Sequence, residues 1–376
     1  MQQKVINGLL ILFKKNRLFF VLKFIRLFLP TLILNIIPMR KILLVVFLFH
    51  YSLLTTHYSY SQDIHFSQFY ASPLTLNPAN TGNFRGDWRV FNNFRTQWKQ
   101  IGVPFRTISL GGDIPFYIGK EKLSAGIIIV NDQSGDEKLV VNKFYASAAY
   151  HKTLGKSIFR LGIQGGYVMK SFNTSKLTFP NQFDKTIGEF NNSLTNNEKS
   201  LGDQTSYVDL NGGLIWSGNF GNFQPEIGVA MFHITQPKES FLGQNFKLPM
   251  RQVFHIGGKI DGQKIFFMPN ILYMSHSTAN DLLGGGNLGV KLPSNGARIK
   301  SVFLGPLFRS GTGRNSDAFI AIFGVNFMQL DVGVSYDVNI STLKTATRNR
   351  GAFEFSLIYT AMSTKVSKVT TPCERY

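Results

Sequence analysis

Residues 351–359 read G-A-F-E-F-S-L-I-Y, with Phe353, Phe355, Leu357 and Tyr359 on one face of an extended chain and Ala352, Glu354 and Ser356 on the other. Successive side chains of a strand point to opposite sides, so this period of two describes a strand with one apolar face. The same pattern fills 159–170. There Phe159, Leu161, Ile163, Tyr167 and Met169 oppose Arg160, Gln164 and Lys170, with Gly162 and Gly166 on the polar side. Segments of about ten alternating residues are long enough to cross a bilayer as tilted strands. If the apolar stripe faces lipid, the chain is a membrane barrel; if it faces a core, the chain is a soluble sandwich.

Strand signals bounded by Gly, Asn, Asp, Ser or Pro can be followed through the chain. They fall at 88–98, 105–113, 123–131, 139–151, 158–170, 206–216, 223–233, 249–260, 264–275, 281–291, 300–309, 317–327, 329–337 and 351–360, fourteen in all. An even number lets an up-and-down sheet close with both ends on one side. The connections decide between the two readings. The odd-numbered ones include three that are long, 171–205, 234–248 and 338–350, whereas every even-numbered one is short. Outer-membrane barrels have long outside loops and short periplasmic turns. A sandwich has no reason to sort its loops in this way. The fold expected is therefore all-β, a closed antiparallel up-and-down transmembrane β-barrel of about 14 strands, occupying 88–362.

Composition agrees with one large domain. The 376 residues include 35 Gly, 35 Phe and 13 Tyr, only 16% are charged, and no Pro/Ser-rich linker divides the body. At the amino end, Met39-Arg40-Lys41 precedes the apolar run 42–49 and a polar stretch ending Tyr60-Ser61-Gln62-Asp63, the layout of a secretory signal cleaved before Gln62. Residues 39–61 are thus expected to be a signal peptide. Residues 1–38 read as an extension upstream of a true start at Met39, or as part of an unusually long signal. Their charges at Lys4, Lys14, Lys15, Arg17, Lys23 and Arg26 break the apolar stretch short of the roughly 18 residues a spanning helix needs. Residues 62–87 are expected to form a periplasmic or plug-like segment, and 363–376 a periplasmic tail.

Charge narrows the partners. Residues 1–61 hold 8 Lys/Arg and no Asp/Glu, so without them the formal charge of +19 falls to about +11. That excess suits an anionic lipid surface or a scattered solvated face, and no basic run interleaved with aromatics points to nucleic acid. Within the barrel, Asp331, Ser335, Glu354 and Ser356 are expected to point inward and Leu330, Val332, Val334 and Phe353 outward. The lumen is then polar, either a conducting path or a space filled by paired side chains, with Arg160, Lys170 and Lys264 available as counter-charges. The stretch 317–327 is apolar on both faces, which fits packing against something inside the barrel or against a partner.

Catalytic and cofactor signatures are missing from the sequence. There is no G-x-S-x-G elbow and no H-E-x-x-H, and the seven His residues are scattered. His151 and His233 end strands and read as interfacial residues. The run 131–137 is too short and irregular for a calcium loop and reads as a hairpin tip. Gly284-Gly285-Gly286 and Gly311-Thr312-Gly313 complete no phosphate-binding motif. No enzyme activity, metal or cofactor is expected. Cys373, the only cysteine, allows no disulfide.

Several phrases in order resemble a known family. Phe66-Ser67-Gln68-Phe69-Tyr70 leads to Leu76-Asn77-Pro78-Ala79-Asn80-Thr81-Gly82, and Phe94-Arg95-Thr96-Gln97-Trp98 follows. Then come 131–135, Ala149-Tyr150-His151, 176–184, 233–237, Lys247-Leu248-Pro249-Met250-Arg251, Ser335-Tyr336-Asp337-Val338-Asn339 and Phe353-Glu354. Together they resemble the PorP/SprF outer-membrane proteins of the Bacteroidetes type IX secretion and gliding machinery, over about 62–376. The end departs from the family pattern, reading Cys373-Glu374-Arg375-Tyr376 where Cys-Pro-Arg-aromatic is expected, and 1–38 has no counterpart. The resemblance implies a non-enzymatic protein of the cell outer membrane that docks components of the periplasmic secretion ring and helps export or anchor surface adhesins. The alternative is a transport barrel, porin-like or passing hydrophobic solutes. Asn77, Pro78 and Gly82 are expected in an ordered segment in or under the barrel, or in a simple turn. Lys176, Leu177, Thr178, Gln182 and Asp184 form the candidate partner surface of the long outer loop, whose Phe172, Phe179 and Phe183 suggest that it folds on the barrel mouth.

Overall fold

The computed structural model describes residues 63–362 except 101, 136–138, 173–177, 192, 195–203, 242–245, 278, 294–297 and 312–315. The expected leader (1–61), Lys176, Leu177, the tail 363–376 and Cys373 lie outside the described residues.

Among the described residues sixteen strands follow one another: β1 (Arg89–Gln97), β2 (Phe105–Ile118), β3 (Glu121–Ser134), β4 (Leu139–Leu154), β5 (Ser157–Ser171), β6 (Phe183–Asp184), β7 (Glu189–Phe190), β8 (Gln204–Gly218), β9 (Phe223–Phe232), β10 (Arg251–Asp261), β11 (Ile265–His276), β12 (Ala279–Lys291), β13 (Ile299–Ser310), β14 (Ser316–Phe327), β15 (Leu330–Asn339) and β16 (Arg350–Thr360). Strands β6 and β7 make a separate hairpin inside the connection 172–203. The other fourteen form a closed antiparallel barrel in which each strand pairs with the next, and β1 closes on β16 from Arg89↔Thr360 to Gln97↔Ala352. Closure leaves no edge strand, so backbone groups are satisfied within the sheet.

These are the fourteen strands expected from the sequence, with different ends. β2 runs past Asp113 through Pro115 to Ile118. Pairing with β1 stops at Arg89↔Asp113, while pairing with β3 continues to Ile118↔Glu121. Pro115 therefore faces no partner on the β1 side, where its missing N–H costs nothing.

The alternation that decides the fold is directly visible. On β16, Ala352, Glu354 and Ser356 are buried, while Phe353 (40%) and Tyr359 (38%) are exposed. On β5, Phe159, Leu161, Ile163 and Tyr167 are exposed while Arg160 and Gln164 are buried. The outer wall is apolar, as lipid requires, and Trp88 stacks against Tyr359 at 5.2 Å near the end of the barrel that holds both chain termini of the sheet. The long connections 172–203, 233–250 and 340–349 lie at the opposite end. The termini-bearing end is therefore periplasmic and the other faces outward.

The core sits inside the barrel, around the chain that precedes β1. Phe69 and Leu76 of that chain pack in one cluster with Leu283, Leu307, Ile320 and Ile322 of the wall. This accounts for the two apolar faces of 317–327: one face meets lipid, the other meets the inserted segment. Among the described residues no helix is long and apolar enough to cross a membrane.

Candidate functional site

The lumen holds residues 63–83, fixed at three levels from the outer rim to the periplasmic end. At the outer rim, Asp63 pairs with Lys143, with Arg251 Nη1 at 3.1 Å and with His233 Nε2 at 3.4 Å. His233 Nδ1 lies 2.9 Å from Asp209, which also accepts from the Tyr145 hydroxyl at 2.8 Å. Burial pushes the Asp63 carboxyl up, but Lys143 and Arg251, helped by His233, hold it well below the usual range. His233 and His151 are both lumen residues. They are not interfacial, as the sequence suggested: the parity of β4 turns His151 inward, where its Nε2 is 2.9 Å from the Thr81 carbonyl oxygen, and His233, just past the inward-facing Phe232 that ends β9, is turned into the lumen by its left-handed backbone (φ +57°).

Slightly deeper, the two oxygens of Glu354 accept the backbone N–H groups of Ser67 (2.6 Å) and Gln68 (2.9 Å). Ser67 Oγ donates to Asp337 at 2.9 Å. Arg95 bridges Glu354 and Asp337, and Arg309 Nη2 stands 3.0 Å from Asp337. Gln68 is held by Ser335 and Ser356. Two guanidinium groups thus face three carboxylates, since Arg309 Nε also lies 2.5 Å from the partly exposed Asp317, and the remaining acceptor sites of Asp337 and Glu354 are filled by the segment's own backbone and hydroxyl groups. Satisfying both charge and hydrogen bonds is the condition under which buried ions are tolerated.

Of the sequence-derived residues, Asn77, Pro78 and Gly82 all lie in the lower part of this segment. Asn77 Oδ1 accepts from Ala79 N at 2.9 Å, starting the short turn Pro78–Asn80, while its Nδ2 donates to the wall carbonyl oxygen of Val229 at 3.0 Å. Pro78 and Ala79 press on β5 at Gly162, where a Cβ would meet Pro78 C and Ala79 N at 2.3 Å. Gly82 has φ +70°, and a Cβ there would meet Ser124 Oγ at 1.9 Å. Its N–H donates to Asp113 at 2.7 Å, and Asp113 in turn binds Arg89, whose Nη2 donates to Asn80 O at 3.1 Å.

The three loop residues that are described do different things. Gln182 is buried, its Nε2 donating to Leu194 O at 3.0 Å and its Oε1 accepting from Phe179 N at 3.1 Å. It holds the loop together. Asp184 accepts from Thr186 N at 2.8 Å, a bond that lowers its carboxyl below the usual value, and Thr178 is exposed. Phe172 packs edge-on against Phe241 of the next outer loop at 4.7 Å, and Phe183 against Phe190 at 5.2 Å.

Of the counter-charges foreseen, Lys170 pairs with Glu239, Arg160 lies 3.6 Å from Glu226, and Lys264 is exposed in a turn. Arg89, Arg95 and Arg309 carry the main pairing and were not foreseen in that role. Their inward parity was the available signal. Two cavities, of about 440 Å³ and about 750 Å³, remain at the periplasmic end beside Tyr70 and Lys259. Among the described residues no group of His, Cys, Asp or Glu could hold a metal ion.

A family model described as type IX secretion system membrane protein PorP/SprF matches residues 58–359. No curated protein matches the sequence. Similar solved structures include Omp33 of Acinetobacter baumannii, 7% identical over 73% of this chain and 98% of that one (TM-score 0.37). CdiB from Escherichia coli is 6% identical over 72% and 63% (TM-score 0.45). BamA from Haemophilus ducreyi lacking POTRA domains 1–3 is 8% identical over 73% and 70% (TM-score 0.37). The likeness is one of barrel architecture and carries nothing about ligands or partners.

Proposed function

The chain belongs to the PorP/SprF family of type IX secretion system membrane proteins of the outer membrane, and from that premise we propose that it is a closed docking barrel. Its periplasmic turns engage components of the secretion ring, and its outer loops help export or hold surface proteins such as adhesins, in gliding organisms included. The role is non-enzymatic. Residues 39–61 serve as the signal peptide, and N-terminal sequencing of the mature protein checks cleavage before Gln62.

The observation that supports this reading is the occupied lumen. Residues 63–83 fill the path a solute would take and are tied to the wall by buried charges at Asp63, Arg95, Asp337 and Glu354. A rigid barrel with a filled bore has two ends to offer partners, and functional contacts concentrate on such loops and turns.

The test uses photo-crosslinking residues in cells, at Lys156 in a periplasmic turn and at Thr178 in the outer loop. Crosslinks from Lys156 to secretion-ring components and from Thr178 to an exported surface protein, with secretion lost on deletion of the gene, are expected. Normal secretion in the deletion strain, or mature protein found soluble in the periplasm, overturns the proposal.

A further inference from the structure

The smaller cavity at the periplasmic end has an unusual charge distribution. It lies between the inserted segment and β3, β5, β9 and β10, and its charged lining is Arg85, Lys122, Arg160 and Lys259 against the single carboxylate Glu226, with His255 at its inner end. Three of these groups are already engaged. Lys122 Nζ donates to Gly82 O at 3.0 Å, Lys259 Nζ lies 3.3 Å from Asp261, and Glu226 accepts from Asn83 Nδ2 at 3.0 Å.

Arg160 has only a loose ion pair. It is only 7% exposed, and its Nε and Nη1 have no hydrogen-bond partner. Its nearest acid, Glu226, stands 3.6 Å from Nη1, which is ion-pair distance but outside hydrogen-bond reach. A buried guanidinium with two of its nitrogens unbonded is costly, and its planar fork matches the two oxygens of a carboxylate. The lining around it is mixed, apolar at Phe69, Leu76, Ile158 and Ile256 and polar at Asn83, Ser217, Gln224 and Asn270. The volume of about 440 Å³ falls within the usual range for ligand sites. Arg85 and Asn219 are exposed at the cavity's periplasmic side, so it is within reach of the periplasm.

We infer that this cavity is a binding site for one carboxylate carried on an apolar peptide segment, with Arg160 as the group that grips it. A doubly charged phosphate fits less well, because Glu226 stands beside the guanidinium and Lys122 and Lys259 are already engaged by Gly82 and Asp261. The carboxylate comes from a chain terminus or from an acidic side chain, two sources of the same chemistry. The inference rests on the docking proposal only in drawing the peptide from a periplasmic partner.

The experiment uses the purified barrel in detergent, its folded state verified by heat-modifiable migration, without secretion components. Failure here is therefore separate from failure of the docking proposal, which is read in cells. Calorimetry compares N-acetyl-Leu-Phe as free acid, the same peptide as amide, N-acetyl-Leu-Glu-Phe amide and inorganic phosphate. One of the two carboxylate peptides is expected to bind about ten-fold or more tightly than the neutral amide, and the stronger of them identifies the source. Arg160→Gln is expected to remove that preference and Arg160→Lys to restore part of it. Should the Arg160 variants fail to fold, Glu226→Gln serves in their place, and it is expected to tighten binding by relieving repulsion. Equal binding of acid and amide, no binding of either, phosphate binding more tightly than both carboxylates, or unchanged affinity in Glu226→Gln overturns the inference.

Discussion

Glu354 of the last strand accepts the backbone N–H groups of both Ser67 (2.6 Å) and Gln68 (2.9 Å), joining residues 287 positions apart in sequence. A carboxylate whose two oxygens grip consecutive peptide groups fixes the position and direction of the segment. Truncating it to Ala leaves Arg95 with one acid in place of two and leaves two buried N–H groups unpaired. Glu354→Ala is expected to destabilise the barrel by about 3–5 kcal/mol, measured as the shift in urea unfolding followed by heat-modifiable migration. The N-terminal segment should become protease-sensitive before the strands do.

The close approach at Gly162 gives a second prediction. Gly162→Val should drive Pro78 and Ala79 off the wall, costing about 1–3 kcal/mol as overpacking. Gly165→Ala, on the same strand with no atom within 4 Å of its Cβ position, should change little. Limited proteolysis of the two variants makes the comparison: cleavage within 63–83 is expected in the first alone.

Four of the phrases that mark the family in the sequence meet in the lumen. Ser67 and Gln68, Arg95, Asp337 and Glu354 belong to four separate phrases and form one hydrogen-bonded knot. Their alternation was readable, because strand period fixes which residues turn inward. Their partners were not, since lumen contacts join strands by three-dimensional register and depend on a segment with no period of its own. The apolar inner face of 317–327 did carry a signal, because Ile320 and Ile322 have no other reason to be apolar on the lumen side. His151 and His233 were misplaced for two different reasons. Their position at strand ends said interface, but the parity of β4 turns His151 to the lumen, and the left-handed backbone of His233, just past the end of β9, turns it there against parity, which the sequence pattern does not show.

Asp63 gives a pH dependence whose sign follows from its lowered carboxyl. A group with a depressed folded value contributes stability above its unfolded value, about 3.9 for Asp, and loses it as the pH falls through the folded value. The difference in thermal midpoint between the native protein and Asp63→Asn should therefore shrink as the pH falls below about 4, and shrink also as it rises past about 6.5, where His233, lowered by burial but raised overall by Asp209 and Asp63, gives up its proton. A difference that stays constant below about pH 4 would assign the acid titration to another group.

Gln182 ties the outer loop together through its side-chain amide as well as its backbone, whose carbonyl oxygen accepts from Asn191 N at 2.8 Å. Gln182→Ala is expected to cost that loop about 1–2 kcal/mol and to expose 178–194 to proteases, with unfolding of the barrel unchanged. Asp184→Ala, at the half-buried turn, should leave barrel unfolding unchanged as well and serves as the comparison in the same digest.

The central claim is that the bore is closed by the chain's own amino-terminal segment, and single-channel recording in a planar bilayer tests it most directly. The intact protein should give no steady ion conductance, while Glu354→Ala or Gly162→Val should open intermittently as the segment leaves the wall. A steady, ohmic conductance of the intact protein would contradict the account and favour a transport barrel.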